Sequence, residues 1–167
     1  HFCMKSSALY LRSIIFGIND SLVSTVGFLA GISVAGVPKA TIVLTGIIYA
    51  LVESFSMAMG DFLSEESAEE YASQSNINDR LSVISAVLMF ISCVLASLIP
   101  LIPYIIFISS TALIVSICLS ALSLFIVGAL SAHLSHLPIL WRGVRMASLG
   151  GAAIVIGVAI GTFMPTV

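Results

Sequence analysis

Three residues in the stretch Tyr49 to Tyr71, YALVESFSMAMGDFLSEESAEEY, have the types and spacing to hold a cation: Glu53, Met57 and Asp61. Each lies four positions after the last, so a helix puts two carboxylates and a thioether on one face, rising ~6 Å per step. The stretch opens as apolar as a membrane span and closes polar and acidic. A carboxylate inside a bilayer span costs on the order of 3 kcal/mol, and residues of this kind mark ion or proton paths by default. Another carboxylate, Asp20, with Asn19 beside it, interrupts the apolar run SIIFGINDSLVSTVGFLAGISVA.

The elements that must position these groups follow from composition. The chain has 167 residues, 59% hydrophobic and only 8% charged, with a mean hydropathy of +1.19. Soluble domains carry about 25% charged residues, so this is an integral membrane protein. Its apolar runs are continuous rather than alternating, which selects helices over a closed barrel. At about 20 residues per crossing, five spans fit: roughly 13–35, 40–62, 81–99, 104–130 and 146–164, forming one transmembrane domain over 1–167. Gly36, Pro38 and Lys39 predict the first turn, and Pro100 with Pro103 predict a tight turn between the third and fourth spans. The connection 63–80 is acidic and cytoplasmic, with Asn76 to Asp79 as its stop; Glu65, Glu66, Glu69 and Glu70 form one edge if it is helical. Gly27 and Gly31 in the first span, and Gly150, Gly151, Gly157 and Gly161 in the last, predict close helix packing. The third and fourth spans, whose only ionisable side chains apart from Tyr104 are Cys93 and Cys118, read as scaffold.

Lys5, Arg12, Arg80, Arg142 and Arg145 fall on one side of this arrangement and only Lys39 on the other. Basic residues favour the cytoplasmic side, so the N-terminus is expected there and the C-terminus opposite. No basic cluster suggests nucleic acid, and no Ser-His-Asp set, HExxH motif or nucleotide loop suggests an enzyme. His133 and His136 have helical spacing but belong, with Trp141 and Arg142, to an interfacial connection.

Asp20 and Glu53 lie at matched depth, about 10 and about 13 Å from the cytoplasmic ends of antiparallel spans by the helical rise. Unpaired, the two cost roughly 5–7 kcal/mol, and no Lys or Arg sits at that depth. Protonation, water or a bound cation can settle them. Carboxylates and the Asn19 amide oxygen suit hard divalent ions, while Met57 adds a soft donor. The mixed set fits Fe²⁺ best, then Mn²⁺, with Co²⁺ and Zn²⁺ within reach. Because carboxylates must be deprotonated to bind metal, metal and proton movement are naturally coupled. One protomer offers too few donors for a shell of about six, and a two-fold homodimer would double them.

These residues carry a resemblance. FGINDSLVSTVGFLAGISVAG resembles the first-helix signature of the vacuolar iron transporter family, VESFSMAMGDFLSEES its second-helix signature, and WRGVRMASLGGAAIVIGVAIG its last helix. The resemblance implies a five-helix homodimer in the lipid bilayer that moves Fe²⁺ or Mn²⁺ from the cytosol in exchange for H⁺, along a path at the two-fold interface. These ions are substrate and coupling ion; no permanently bound cofactor is expected. It implies Asp20, Glu53 and Met57 as path residues, with Asn19 and Asp61 adjacent as a secondary metal or proton path. Glu65, Glu66, Glu69 and Glu70 would be a reduced acidic mouth on the cytosolic side, because the long glutamate-rich insert of many relatives does not fit within 63–80. The membrane would be the plasma membrane in a prokaryote and a vacuolar or other organelle membrane in a eukaryote. Two rivals stand beside this: a cation or proton channel without exchange, and a non-transporting scaffold whose acids are structural.

Overall fold

In a bilayer every backbone polar group must be satisfied within the segment, so continuous apolar runs fold as helices. The computed structural model describes residues 2–73, 79–107, 109–134 and 139–164, with side chains from 8 to 71, 80 to 107, 110 to 133 and 140 to 164. The side chain of Lys5 lies outside these, as do His136 and the stop expected at Asn76. Five helices run in series: α1 (Phe2–Val34), α2 (Lys39–Ser73), α3 (Asp79–Ile106), α4 (Ser109–Leu134) and α5 (Ile139–Phe163). Each holds a segment long and apolar enough to cross a membrane.

α1 ends as the sequence predicts. Gly36 adopts φ 82°, Val37 N donates to Ile32 O at 3.3 Å and Gly36 N to Ser33 O at 3.2 Å. This paired closure needs a residue in the left-handed region, which glycine enters without a Cβ penalty. Pro38 then blocks continuation of α1 and supplies the carbonyl that Ile42 N bonds at 3.0 Å, starting α2 in the reverse direction. At this same end Lys39 Nζ donates to Ile105 O at 2.9 Å, a cation on the C-terminal carbonyls of α3.

The proline turn does not form where the sequence suggested. α3 runs through Pro100 and Pro103 to Ile106, and Tyr104, expected to open the fourth span, is buried in its last turn. Proline removes one N–H and frees one carbonyl, whereas leaving the helix inside an apolar layer would free several groups. Neighbours complete the segment: Ser116 Oγ on α4 donates to Pro100 O at 2.7 Å, and Phe107 N closes on Pro103 O at 2.8 Å. α2 also exceeds its expected end at 62. It continues to Ser73, so the glutamate run is helical.

α1 is the centre of the bundle. Half of its apolar window is buried, 50% against 11% for α5, and it packs against all four other helices. Its approach to α5 is backbone on backbone. A Cβ on Gly31 would stand 2.8 Å from Gly157 O, and one on Gly27 2.9 Å from Ala153 O. Reciprocally, Cβ atoms on Gly157 and Gly161 would overlap the carbonyls of Gly27 and Gly31. Gly150 instead accommodates Leu124 of α4. α2 is attached differently, since both α1 and α2 pack on α3 more extensively than on each other. That leaves α1 and α2 separated by a groove floored by α3.

Gly157→Ala should therefore force α1 and α5 apart and cost about 1–3 kcal/mol, the usual range for overpacking. Among the described residues nothing lies within 4 Å of a Cβ on Gly151, so Gly151→Ala should leave stability equal or slightly raised. Thermal unfolding in detergent separates the two; equal midpoints would remove the glycine contact as the reason for the close approach.

Candidate functional site

α2 turns Tyr49, Glu53, Met57 and Asp61 toward the groove because their i, i+4 spacing follows one side of the helix. The opposite side carries Leu44, Ile48, Val52, Phe55 and Met59, all exposed. α1 contributes Ser13, Asp20 and Ser24. α3 contributes Ser85, Met89 and Cys93, all buried. A cavity of about 370 Å³ opens between the helices and is lined by Asp20, Met57, Asp61, Ser13, Met89 and Arg12 among others. Glu53 does not line it, but lies within electrostatic reach of Asp20.

The three carboxylates are satisfied to different degrees. Asp61 accepts from Ser85 Oγ at 2.6 Å and from Ser13 Oγ at 3.1 Å, while Ser13 and Ser85 also stand 2.7 Å from each other. Each hydroxyl has a single proton, so two protons serve three contacts and the trio is coupled. Glu53 Oε1 accepts from Tyr49 Oη at 3.0 Å, and the Tyr49 ring is fixed by stacking on Phe28 at 4.5 Å and 10°. Glu53 Oε2 is buried with no donor among the described residues, and so is Asn19 Oδ1. Buried acceptors are nearly always paired, so such atoms ask for a reason, an ion or water being the usual ones. Ser24, beside Glu53 and Tyr49, spends its hydroxyl on Asp20 O at 2.8 Å.

Two carboxylates with a thioether and unpaired buried oxygens can hold a divalent cation only in part. Among the described residues no three His, Cys, Asp or Glu side chains of this one chain gather closely enough to hold a metal ion. The acidic run lies further along α2. Glu65 Oε2 is 4.0 Å from Arg12 Nη1, Glu66 and Glu69 are half-buried and Glu70 is exposed. At 67% exposure of the Arg12 side chain, that ion pair contributes little to stability.

Treating α3 as scaffold missed the third wall. Counting ionisable residues passes over hydroxyls and sulfur, yet Ser82, Ser85, Met89, Cys93 and Ser97 recur at three- and four-residue steps in an otherwise aliphatic span. That stripe is the signal for a polar helix face, and all five residues are buried.

A family model described as the VIT family matches residues 11–82 and 72–162. Its two segments meet at the α2–α3 connection, where only residues 74–78 separate the helices. No curated protein matches the chain.

Removing one hydroxyl from the Asp61 trio should cost about 1.5–3 kcal/mol, the worth of a hydrogen bond to a charged group. Because the protons are shared, Ser13→Ala and Ser85→Ala should be non-additive by at least ~0.5 kcal/mol. A double-mutant cycle on thermal unfolding measures this; strict additivity would mean that the serines serve Asp61 independently.

Proposed function

The chain belongs to the VIT (vacuolar iron transporter) family of integral membrane proteins, whose business is metal-ion transport, and from that premise we propose that it exports Fe²⁺ or Mn²⁺ from the cytosol in exchange for protons. The observation carrying this reading is the pair of buried oxygens of Glu53 and Asn19 that have no donor among the described residues, on the two antiparallel helices whose Asp20, Met57 and Asp61 line the cavity. Met57 and Asp61 continue the line of donors along the cavity toward the end of α2 where Glu65 and Arg12 lie. That end also carries Arg80, Arg142 and Arg145, and by the preference of basic residues it faces the cytosol.

In this mechanism the metal enters past Glu65, Glu66, Glu69 and Glu70, meets Asp61, and reaches Asp20, Glu53 and Met57. Binding displaces protons from the carboxylates, and protons from the far side reload them when the ion leaves. Two-fold pairing of protomers along the α1–α2 side completes the shell. It would bring Asp20, Glu53 and Met57 together with their symmetry mates, giving four carboxylates and two thioethers for about six positions. The exposed α2 residues Leu44, Ile48, Val52 and Phe55 then meet a partner or lipid, both apolar.

Proteoliposomes loaded with a pH indicator test the whole reading. Fe²⁺ or Mn²⁺ added on one side should drive stoichiometric counter-movement of protons, and Ca²⁺ should not. Asp20→Ala and Glu53→Ala should abolish metal flux while the dimer persists by size-exclusion chromatography. Conduction without exchange would identify a channel. Loss of stability with flux intact would make the acids structural.

A further inference from the structure

The family reading leaves the sulfur atoms of α3 without a role. Cys93 Sγ lies 3.8 Å from Met57 Sδ and is fully buried. Met89, one turn earlier on α3, brings its Sδ to the same place. A Cβ on Gly17 would stand 2.8 Å from Met89 Sδ and 2.9 Å from Cys93 Sγ, so both sulfurs border the space that the missing side chain at Gly17 leaves open. Met57 and Met89 line the cavity that holds Asp20 and Asp61. Ser21, whose fully buried hydroxyl has no hydrogen-bond partner among the described residues, stands beside Cys93.

The sulfur separation is informative. With metal–sulfur bonds of about 2.3 Å, two sulfurs on one tetrahedral ion stand about 3.8 Å apart. At the right angle of an octahedral ion the same bonds give about 3.3 Å. The Cys93–Met57 separation, which is also that of an ordinary sulfur–sulfur contact, is compatible with a tetrahedral, sulfur-accepting ion. Three sulfurs from two helices converge beside the cavity that Asp20 and Asp61 line.

The geometry points to a soft-metal site within one protomer, formed by Cys93, Met57 and Met89 with an oxygen from Asp20, that makes Cys93 a determinant of which divalent ion the protein accepts. Thiolate and thioether favour Fe²⁺, Co²⁺ and Zn²⁺, whereas Mn²⁺, Mg²⁺ and Ca²⁺ prefer oxygen. On coordination the Cys93 S–H proton is exchanged for the ion and leaves to water in the cavity. The binding site stands on its own geometry; its effect on transport selectivity rests on the proposed function.

Two measurements decide it. In detergent-purified protein with Cys3 and Cys118 replaced by serine, Cys93 is the sole thiol. Added Co²⁺ should then produce thiolate-to-cobalt charge-transfer absorption in the near ultraviolet, and further replacement Cys93→Ser should abolish it. Cys93→Ala removes the sulfur without adding a polar group and should give the same loss should serine disturb the packing. Met89→Leu should keep the band but weaken Co²⁺ binding by about tenfold or more, the loss expected from removing even an outer-shell partner of a metal. No band with Cys93 present would overturn the proposal and leave the sulfurs as a weak S–H···S contact. In proteoliposomes containing Mn²⁺ and Co²⁺ together, Cys93→Ser should shift uptake toward Mn²⁺ by about tenfold or more. An unchanged ratio would overturn the role in selectivity while leaving transport intact. Absence of transport of any metal by the unmodified chain would instead sink the transport reading, and the cobalt spectrum would still decide the site.

Discussion

A carboxylate in an apolar layer has to be met by something, and in this protein the three that enter the helix bundle are met unequally. Asp61 has two hydroxyl donors from two other helices. Glu53 has a tyrosine on one oxygen and no donor among the described residues on the other. Asp20 faces the cavity. The arrangement of helices follows from this need. Were α1 and α2 packed directly together, as consecutive antiparallel helices often are, their acids would be pressed into a dry interface at a cost of several kcal/mol each. Placing α3 against both keeps a groove open between them and supplies hydroxyls and sulfur at its floor.

Keeping that groove open requires α1 to be anchored elsewhere, and the glycine contact with α5 does so. No hydrophobic force drives helices together in lipid, so association depends on close packing. Gly27 and Gly31 against Ala153, Gly157 and Gly161 bring two backbones into contact without using any of the polar residues. Gly17 does the equivalent work toward α3, where it makes room for Met89 and Cys93. The glycines of α1 thus divide the helix surface, one part given to holding its position and the rest to chemistry.

Much of this was legible in the sequence. Spans, glycine stripes, the Gly36 turn and the shared side of Glu53, Met57 and Asp61 are local properties, and local periodicity reports them. The misplaced turn at Pro100 and Pro103 has a different origin: in water proline ends helices because exposed backbone can bond solvent, but inside an apolar layer the balance reverses. Ser116, whose hydroxyl donates to the Pro100 carbonyl, sits on the next helix, so nothing near the prolines announces it. The wall supplied by α3 was overlooked because charge was the criterion. Ser85 and Cys93 carry none, and what makes them important is which neighbours the fold gives them.

The mouth of the cavity poses the remaining electrostatic question, since Arg12 lines it and a fixed positive charge opposes an arriving cation. Its side chain is 67% exposed, and at a separation of several ångströms in high dielectric a unit charge contributes only about 1 kcal/mol before salt screening. Glu65 stands 4.0 Å away and offsets most of that locally. Glu66 and Glu70 follow on the same helix, so acids of α2 stand near the arginine that lines the cavity. The positive charge of Arg12 is therefore a small term at the cavity mouth, and its contact with Glu65 bridges α1 and the end of α2.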